Sequence, residues 1–418
     1  MARFGLRNDF TLLAAITISS ALPFTLAPLK AAALGPADRG NFAYFQAGIL
    51  VITNLSILGS RLSAYKNHLT GTGRLNVRRS PLFLLTLPLA ALLAFLIVIL
   101  NPGLPRIVQM GIVAAAIVAP FFTLLQIELA NAQMENHATR ILLVTVVPIL
   151  LDFAGSALLL ARGEFTLRSV VVLAVGVEFA RVAFAIGGYA KDARRASRVG
   201  GPNRPTVRNR PFWRDSLKFA IPATAPVLSS NVDILIFAAL VRPAQLGIYS
   251  VAKIGFSLIL VASQSLEGKM IAGLNAGIRH RDFLHPLWAF TLLSISLSAG
   301  ATSAVLIFFP HSFAAAASLI SILVIAGWLF SLARWTLAHF AAQGRADIAA
   351  ASSVAIILVS VIGPAGMALA PAFGPLEMSI AFAGVQAVCL LLVVLMGSLP
   401  IFRRNENLSV KPSPVPDI

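Results

Sequence analysis

The chain has 418 residues, of which 58% are apolar and only 12% charged. Soluble domains carry about 25% charged residues, so this composition cannot cover a water-exposed surface and excludes a soluble enzyme or a disordered scaffold. The net charge is +17; in an integral membrane protein an excess of that sign points to charge-directed orientation before it points to nucleic acid, and no nucleic-acid partner is expected.

A spanning helix needs about 20 mostly apolar residues. Twelve segments qualify: 10–30, 41–60, 82–100, 107–130, 141–161, 168–190, 216–240, 246–267, 286–309, 314–340, 348–370 and 376–400. Apolar runs of this length do not alternate as barrel strands do, so the expected class is an all-α integral membrane protein with about 12 transmembrane helices. The N-terminus, with Arg3 and Arg7 running into an apolar stretch, shows no preferred cleavage position.

The connecting segments separate by charge. With the N-terminus inside, the inner segments hold 23 of the 33 Lys and Arg, and the outer side holds six: Lys30, Arg39, Arg106, Arg162, Arg168 and Arg242. Both termini are therefore expected on the cytoplasmic side of the membrane, in a multi-pass protein. The longest inner segment, 191–214, is rich in Gly, Pro and charge and reads as a basic linker at mid-chain. The expected organisation is an N-terminal six-helix lobe (1–190), the basic cytoplasmic linker (191–214), a C-terminal six-helix lobe (215–400) and a cytoplasmic tail (401–418).

The two halves share a repeat. Residues 34–45, LGPADRGNFAYF, align without gaps on 241–252, VRPAQLGIYSVA, at an offset of 207. Pro36 matches Pro243, Ala37 matches Ala244, Gly40 matches Gly247, and Phe42 faces Tyr249. Each copy joins the first helix of its half to the second. Six helices separate the copies, so the halves are parallel, and such halves place a functional cavity between them near the membrane midplane. The first helix of each half carries prolines, Pro23 and Pro28 in one, Pro222 and Pro226 in the other. They read either as static kinks or as bends in a gate helix.

A charge at the bilayer centre costs about 2.5–3.5 kcal/mol on insertion scales, so each needs a reason. Asp152, Glu178, Arg181, Asp233 and Lys253 lie well inside their helices. Glu178 and Arg181, at i and i+3, share a helix face: either a self-neutralising pair, or Arg181 facing the cavity with Glu178 tuning it. Lys253 aligns with Gln46 at the repeat offset, so both copies place a polar residue at the same depth, as an inward-facing wall would. Asp233 and Lys253 read as cavity-lining or as a buried interhelical ion pair, and Asp152 as a coupling carboxylate or a hydrogen-bonded structural residue. Lys30 lies nearer the outer end and Arg334 nearer the inner end, where long side chains snorkel; with Arg39 at the outer mouth they outline a basic path for an anion.

Other chemistry is missing. There is no phosphate-cradling GxxxxGK[ST] loop, the outer loops are about ten residues or fewer, the single cysteine, Cys389, has no partner in the chain, and the six histidines are not paired with carboxylates at catalytic or metal-ligand spacing. No catalytic residue, metal or cofactor is expected, and an enzyme acting on a lipid-linked glycan is the weakest of the readings.

LGPADRGNFAYFQAGILVITNLSILG resembles the polysaccharide flippases of the Wzx type (O-antigen and exopolysaccharide transporters), through Leu34, Gly35, Pro36, Arg39 and Gly40. SSNVDILIFAALVRPAQLGIYSVAK is similar to a second stretch of that family, through Asn231, Asp233, Leu246, Gly247, Tyr249 and Ala252, and AAQGRADIAA through Gln343, Gly344 and Arg345. These flippases belong with the MATE multidrug exporters to the multidrug/oligosaccharidyl-lipid/polysaccharide (MOP) exporter superfamily. The resemblance implies two six-helix lobes opening alternately to each side and powered by an H⁺ or Na⁺ gradient. It implies as cargo an undecaprenyl-pyrophosphate-linked oligosaccharide, for polysaccharide or lipopolysaccharide biosynthesis, and polysaccharide polymerases as partners beside membrane lipid. On that reading Arg181, Lys253, Arg39, Lys30, Arg334 and Gln46 contact cargo, and Asp233, with Asp152 or Glu178, exchanges the coupling ion. The alternative is an ion-coupled MATE-like exporter of small amphipathic compounds. MATE exporters often carry an acid in helix one for coupling, whereas here helix one has no Asp or Glu beyond Asp9, which weighs against that alternative.

Overall fold

The protein is described by a computed structural model covering residues 6–57, 59–60, 82–134, 138–198, 209–263, 280–342, 345–367 and 373–398. Within them the secondary structure is helical. In chain order the elements are α1 (Leu6–Ser56), α2 (Leu82–Leu100), α3 (Arg106–Met134), α4 (Ala138–Ala161), α5 (Leu167–Arg198), α6 (Asn209–Leu240), α7 (Pro243–Ala252), α8 (His280–Phe308), α9 (Ala314–Ala342), α10 (Ala346–Met367) and α11 (Pro375–Ser398), with a 3₁₀ turn at His311–Phe313. Seven candidate spans among the described residues are long and apolar enough to cross a membrane, and Thr86–Leu100 and Val146–Ala161 add shorter apolar helices.

The first two expected spans are the two arms of α1. They meet at Gly35, whose backbone lies at φ 67° and ψ 174°. A side chain disfavours that positive φ and glycine does not, so Gly35 makes the bend. Pro36 then opens the second arm, as Pro243 opens α7, where the missing N–H costs nothing and the fixed φ suits a first helical turn. At the α7 start the Arg242 backbone N–H also donates to Gln245 Oε1 at 3.2 Å. Beyond Ala252 the chain turns at Lys253 and is helical again over 254–263, completing one span from Pro243 to Ser263. Pro222 and Pro226 lie inside α6 without ending it, and Pro28 inside α1 likewise; neighbouring helices make such prolines tolerable in a membrane protein.

The elements form two groups. α1 packs on α3 and α4, α2 on α3, and α5 on both α3 and α4; α6 packs on α10, α9 on α11, α10 on α11, and α8 on α9. The lobes meet chiefly where α1 crosses α7, with α6 also reaching α1 and α2. A continuous apolar core runs through that crossing, from Phe42, Tyr44 and Phe45 to Phe237, Tyr249 and Phe256. The mid-chain segment read as a linker is partly helical: α5 runs to Arg198 and α6 starts at Asn209, while 199–208 lie outside the described residues.

Candidate functional site

A cavity of about 430 Å³ opens between the lobes. Its walls come from both arms of α1, from α4, from α6 and from the 243–263 span, and they bring together Lys30, Arg39, Gln46, Asp152 and Lys253. Ser230 and Asn231 of α6, with Ser250 and Ser257, add neutral polar groups to the wall. These residues meet because each half contributes the same pieces, a first helix and the motif turn that follows it.

On the C-terminal side the charges form a closed network. Lys253 Nζ donates to Asp233 Oδ1 at 2.7 Å and Oδ2 at 2.8 Å, and to the Ser230 carbonyl oxygen at 2.6 Å. An ammonium has three donors, and all three are engaged. The Tyr249 hydroxyl donates a third bond to Asp233. Asp233 is 1% exposed and Lys253 6%. Lys253 Nζ also lies 4.7 Å from the Phe382 ring centroid and 5.7 Å from that of Phe256, within cation–π range.

On the N-terminal side Lys30 Nζ contacts Asp152 Oδ2 at 2.8 Å, linking α1 to α4. Lys30, expected to snorkel at an outer mouth, is instead 8% exposed and paired. The packing of α1 on α4 brings the lysine's head to a carboxylate within hydrogen-bond distance. The N-terminal side therefore presents a Lys–Asp pair to the cavity, while the C-terminal side presents Lys253, with Asp233 buried behind the wall. The Asp152 side chain keeps 32% of its exposure, so water shares its solvation and its partner is worth less than that of a fully buried acid. Asp152→Asn is expected to lower stability by only about 1 kcal/mol, read as a small shift in the thermal unfolding midpoint of the purified protein.

Arg39 differs from both lysines. Its Nε is buried without a hydrogen-bond partner, and its guanidinium lies 5.9 Å from the Phe42 ring centroid. Among the described lining residues it is the one cation without a carboxylate. Gln46 is exposed to the cavity, one repeat offset from Lys253.

Three expected residues lie elsewhere. Arg181 Nη1 pairs with Glu178 at 3.1 Å along α5, and neither lines the cavity. Arg334 borders a separate void of about 10 Å³ inside the C-terminal lobe, with Ser229, Gln386 and Cys389. A larger groove of about 780 Å³ between α8 and α9 is lined by Thr291, Ser294, Ser298, Thr302 and Ser321 with Trp328, and carries no ionisable group.

In the sequence Tyr249 stands only as part of a motif. The available signal was its spacing: it precedes Lys253 by four residues, one helical turn, and so shares its face. Ser230 escaped notice because it acts through its backbone carbonyl, which no side-chain pattern reports.

No family model matches the chain, and no curated protein matches it. Solved structures do. An inward-facing multidrug resistance MATE family transporter of the MOP superfamily aligns with a TM-score of 0.58 and 11% identity, over 94% of this chain and 96% of that one. The MATE multidrug transporter DinF-BH gives 0.57 and 14%, over 97% and 96%. An outward-facing MATE family transporter of the same superfamily gives 0.53 and 15%, over 93% and 94%. The chain has the fold of these MATE transporters.

Proposed function

We propose that the protein is an ion-coupled transporter that moves its cargo through the inter-lobe cavity by alternating access. The observation that carries this reading is the cavity itself. It lies between two matched lobes, takes the Lys30–Asp152 pair from one and Lys253, bonded to the buried Asp233 behind it, from the other, and holds one uncompensated cation, Arg39. The functional lobes are 1–190 and 215–400, joined by the basic segment 191–214. The charge asymmetry of the loops places both termini in the cytoplasm and the Pro36 and Pro243 turns outside.

Charge balance supplies a coupling scheme. A charged group of the cargo entering the cavity competes for one partner of a Lys–Asp pair. The displaced partner then holds an unbalanced charge in a medium where Coulomb terms are several-fold larger than in water. For Asp233 or Asp152 that imbalance is relieved by taking up H⁺ or Na⁺, so cargo and ion move in linked steps. This assigns coupling to α4 and α6, consistent with a first arm of α1 that has no acid beyond Asp9. Arg39 and Lys30, with Gln46 and Lys253, contact cargo. Arg181 and Glu178, already paired away from the cavity, orient α5 instead.

The cargo that fits best is a small amphipathic compound. About 430 Å³ suits a drug-sized molecule, and solved proteins of this fold include multidrug transporters. A second reading, the lipid-linked oligosaccharide, is favoured by the LGPADRG and NVDILIF motifs and by Arg39, whose planar fork suits a phosphate. It would bring a polysaccharide polymerase as partner. Deleting the gene separates them. Raised sensitivity to amphipathic toxic compounds, reversed by the wild-type protein, is the expected result. Unchanged sensitivity with accumulation of lipid-linked sugars would replace the first reading by the second.

A further inference from the structure

The two motif copies do more than turn the chain. A Cβ placed on Gly40 would lie 1.9 Å from the Pro243 carbonyl oxygen, and a Cβ on Gly247 would lie 1.9 Å from the Pro36 carbonyl oxygen. These are two equivalent contacts: Pro36 corresponds to Pro243 and Gly40 to Gly247 at the repeat offset. The first turn of the second α1 arm and the first turn of α7 thus cross backbone against backbone, related by the local two-fold axis of the repeat. No side chain separates them. Arg39, next to Gly40, lines the cavity, so the crossing lies beside that wall. A nearby link, from Asn101 Nδ2 to the Ala238 carbonyl oxygen at 3.1 Å, also joins the lobes.

We infer that Gly40 and Gly247 form the outer gate of the transporter: a symmetric latch whose closed state exists only because neither position carries a Cβ. This rests on the alternating-access reading and on the orientation given above. The chemistry suits a gate. Close backbone approach brings weak Cα–H···O contacts, each worth about 0.5–1 kcal/mol, and small residues allow helices in a membrane to approach this far. The contact makes no ion pair, so opening leaves no charge stranded. Gly35 and the prolines fix the direction of each turn, and the glycines fix how near the turns come. An added methyl at either position meets a carbonyl oxygen held in its own helix, which cannot rotate away as a side-chain tip would. The turns must then separate and the cavity opens outward.

The test replaces Cys389 with Ser, introduces Ser257→Cys as a cavity reporter, and labels from outside with a membrane-impermeant thiol reagent. Gly40→Ala and Gly247→Ala are each expected to raise outside labelling several-fold and to slow transport, and the double variant is expected to add little. Gly300→Ala on α8, where a Cβ meets open space, is the control and leaves labelling unchanged. Outside labelling that stays at the control level in both single variants overturns the latch, and if transport also persists, alternating access survives without it. Spin labels at Ala37 and Ala244 read the wild-type latch without altering it. A short-distance population that lengthens when cargo and ion are added supports the latch; one short distance under all conditions overturns it. Wild-type protein that moves no cargo under a gradient would sink the transport reading instead, whatever the labels show.

Discussion

Lys253→Met is expected to destabilise the purified protein by about 3–5 kcal/mol, the cost of stranding one partner of a buried pair, and to abolish transport. Met keeps most of the side-chain length and its contacts with Phe256 and Phe382, but it removes all three donors that hold Asp233 and the Ser230 carbonyl. Asp233, 1% exposed, is left with the Tyr249 hydroxyl alone. Lys253→Met combined with Asp233→Asn removes both charges and should recover most of the lost stability, because neutral groups of similar volume replace a buried pair at little cost. The double variant should still not transport. Thermal unfolding in detergent and a vesicle transport assay read the two properties separately. A double variant that regains both would make the pair structural only.

Tyr249→Phe is the second large effect. The ring stays packed edge-on against Phe237, with centroids 5.5 Å apart, and only the hydroxyl bond to Asp233 is lost. Hydrogen bonds to charged groups contribute about 1.5–3 kcal/mol, so the unfolding free energy should fall by that amount. In an Asp233→Asn background the same substitution should cost less, since the acceptor no longer carries a charge. Equal costs in both backgrounds would show that Tyr249 acts by packing alone. This bears on mechanism because Tyr249 belongs to the same motif as Gly247, linking the turn to the charge network.

The spans were readable because uninterrupted apolar runs of spanning length have one structural solution in a membrane. In 191–214, where charge and Pro–Gly content indicate a linker, helix reaches beyond the apolar run. KDARRASR is composed largely of good helix formers, so α5 continues to Arg198, two residues before Gly200 and Gly201. Within the site, Asp233 and Lys253 stand out as charges deep in apolar helices; outside it, the Glu178–Arg181 pair follows from helical spacing. The Lys30–Asp152 pair was not legible: 122 residues separate them, and a lysine near the end of a span ordinarily snorkels. The pairing of Gly40 with Pro243 was half legible. The repeat identified the matched residues, but only the packing of one lobe on the other brings them into contact.

The central claim is that cargo and ion pass through one cavity in linked steps. Its most direct measurement reconstitutes the purified protein in vesicles and follows a fluorescent amphipathic compound under an imposed H⁺ or Na⁺ gradient. The account predicts accumulation against the compound's own gradient, collapse on adding an ionophore, and no accumulation with Lys253→Met. Movement that ignores the ion gradient and is equally fast in Lys253→Met would contradict it.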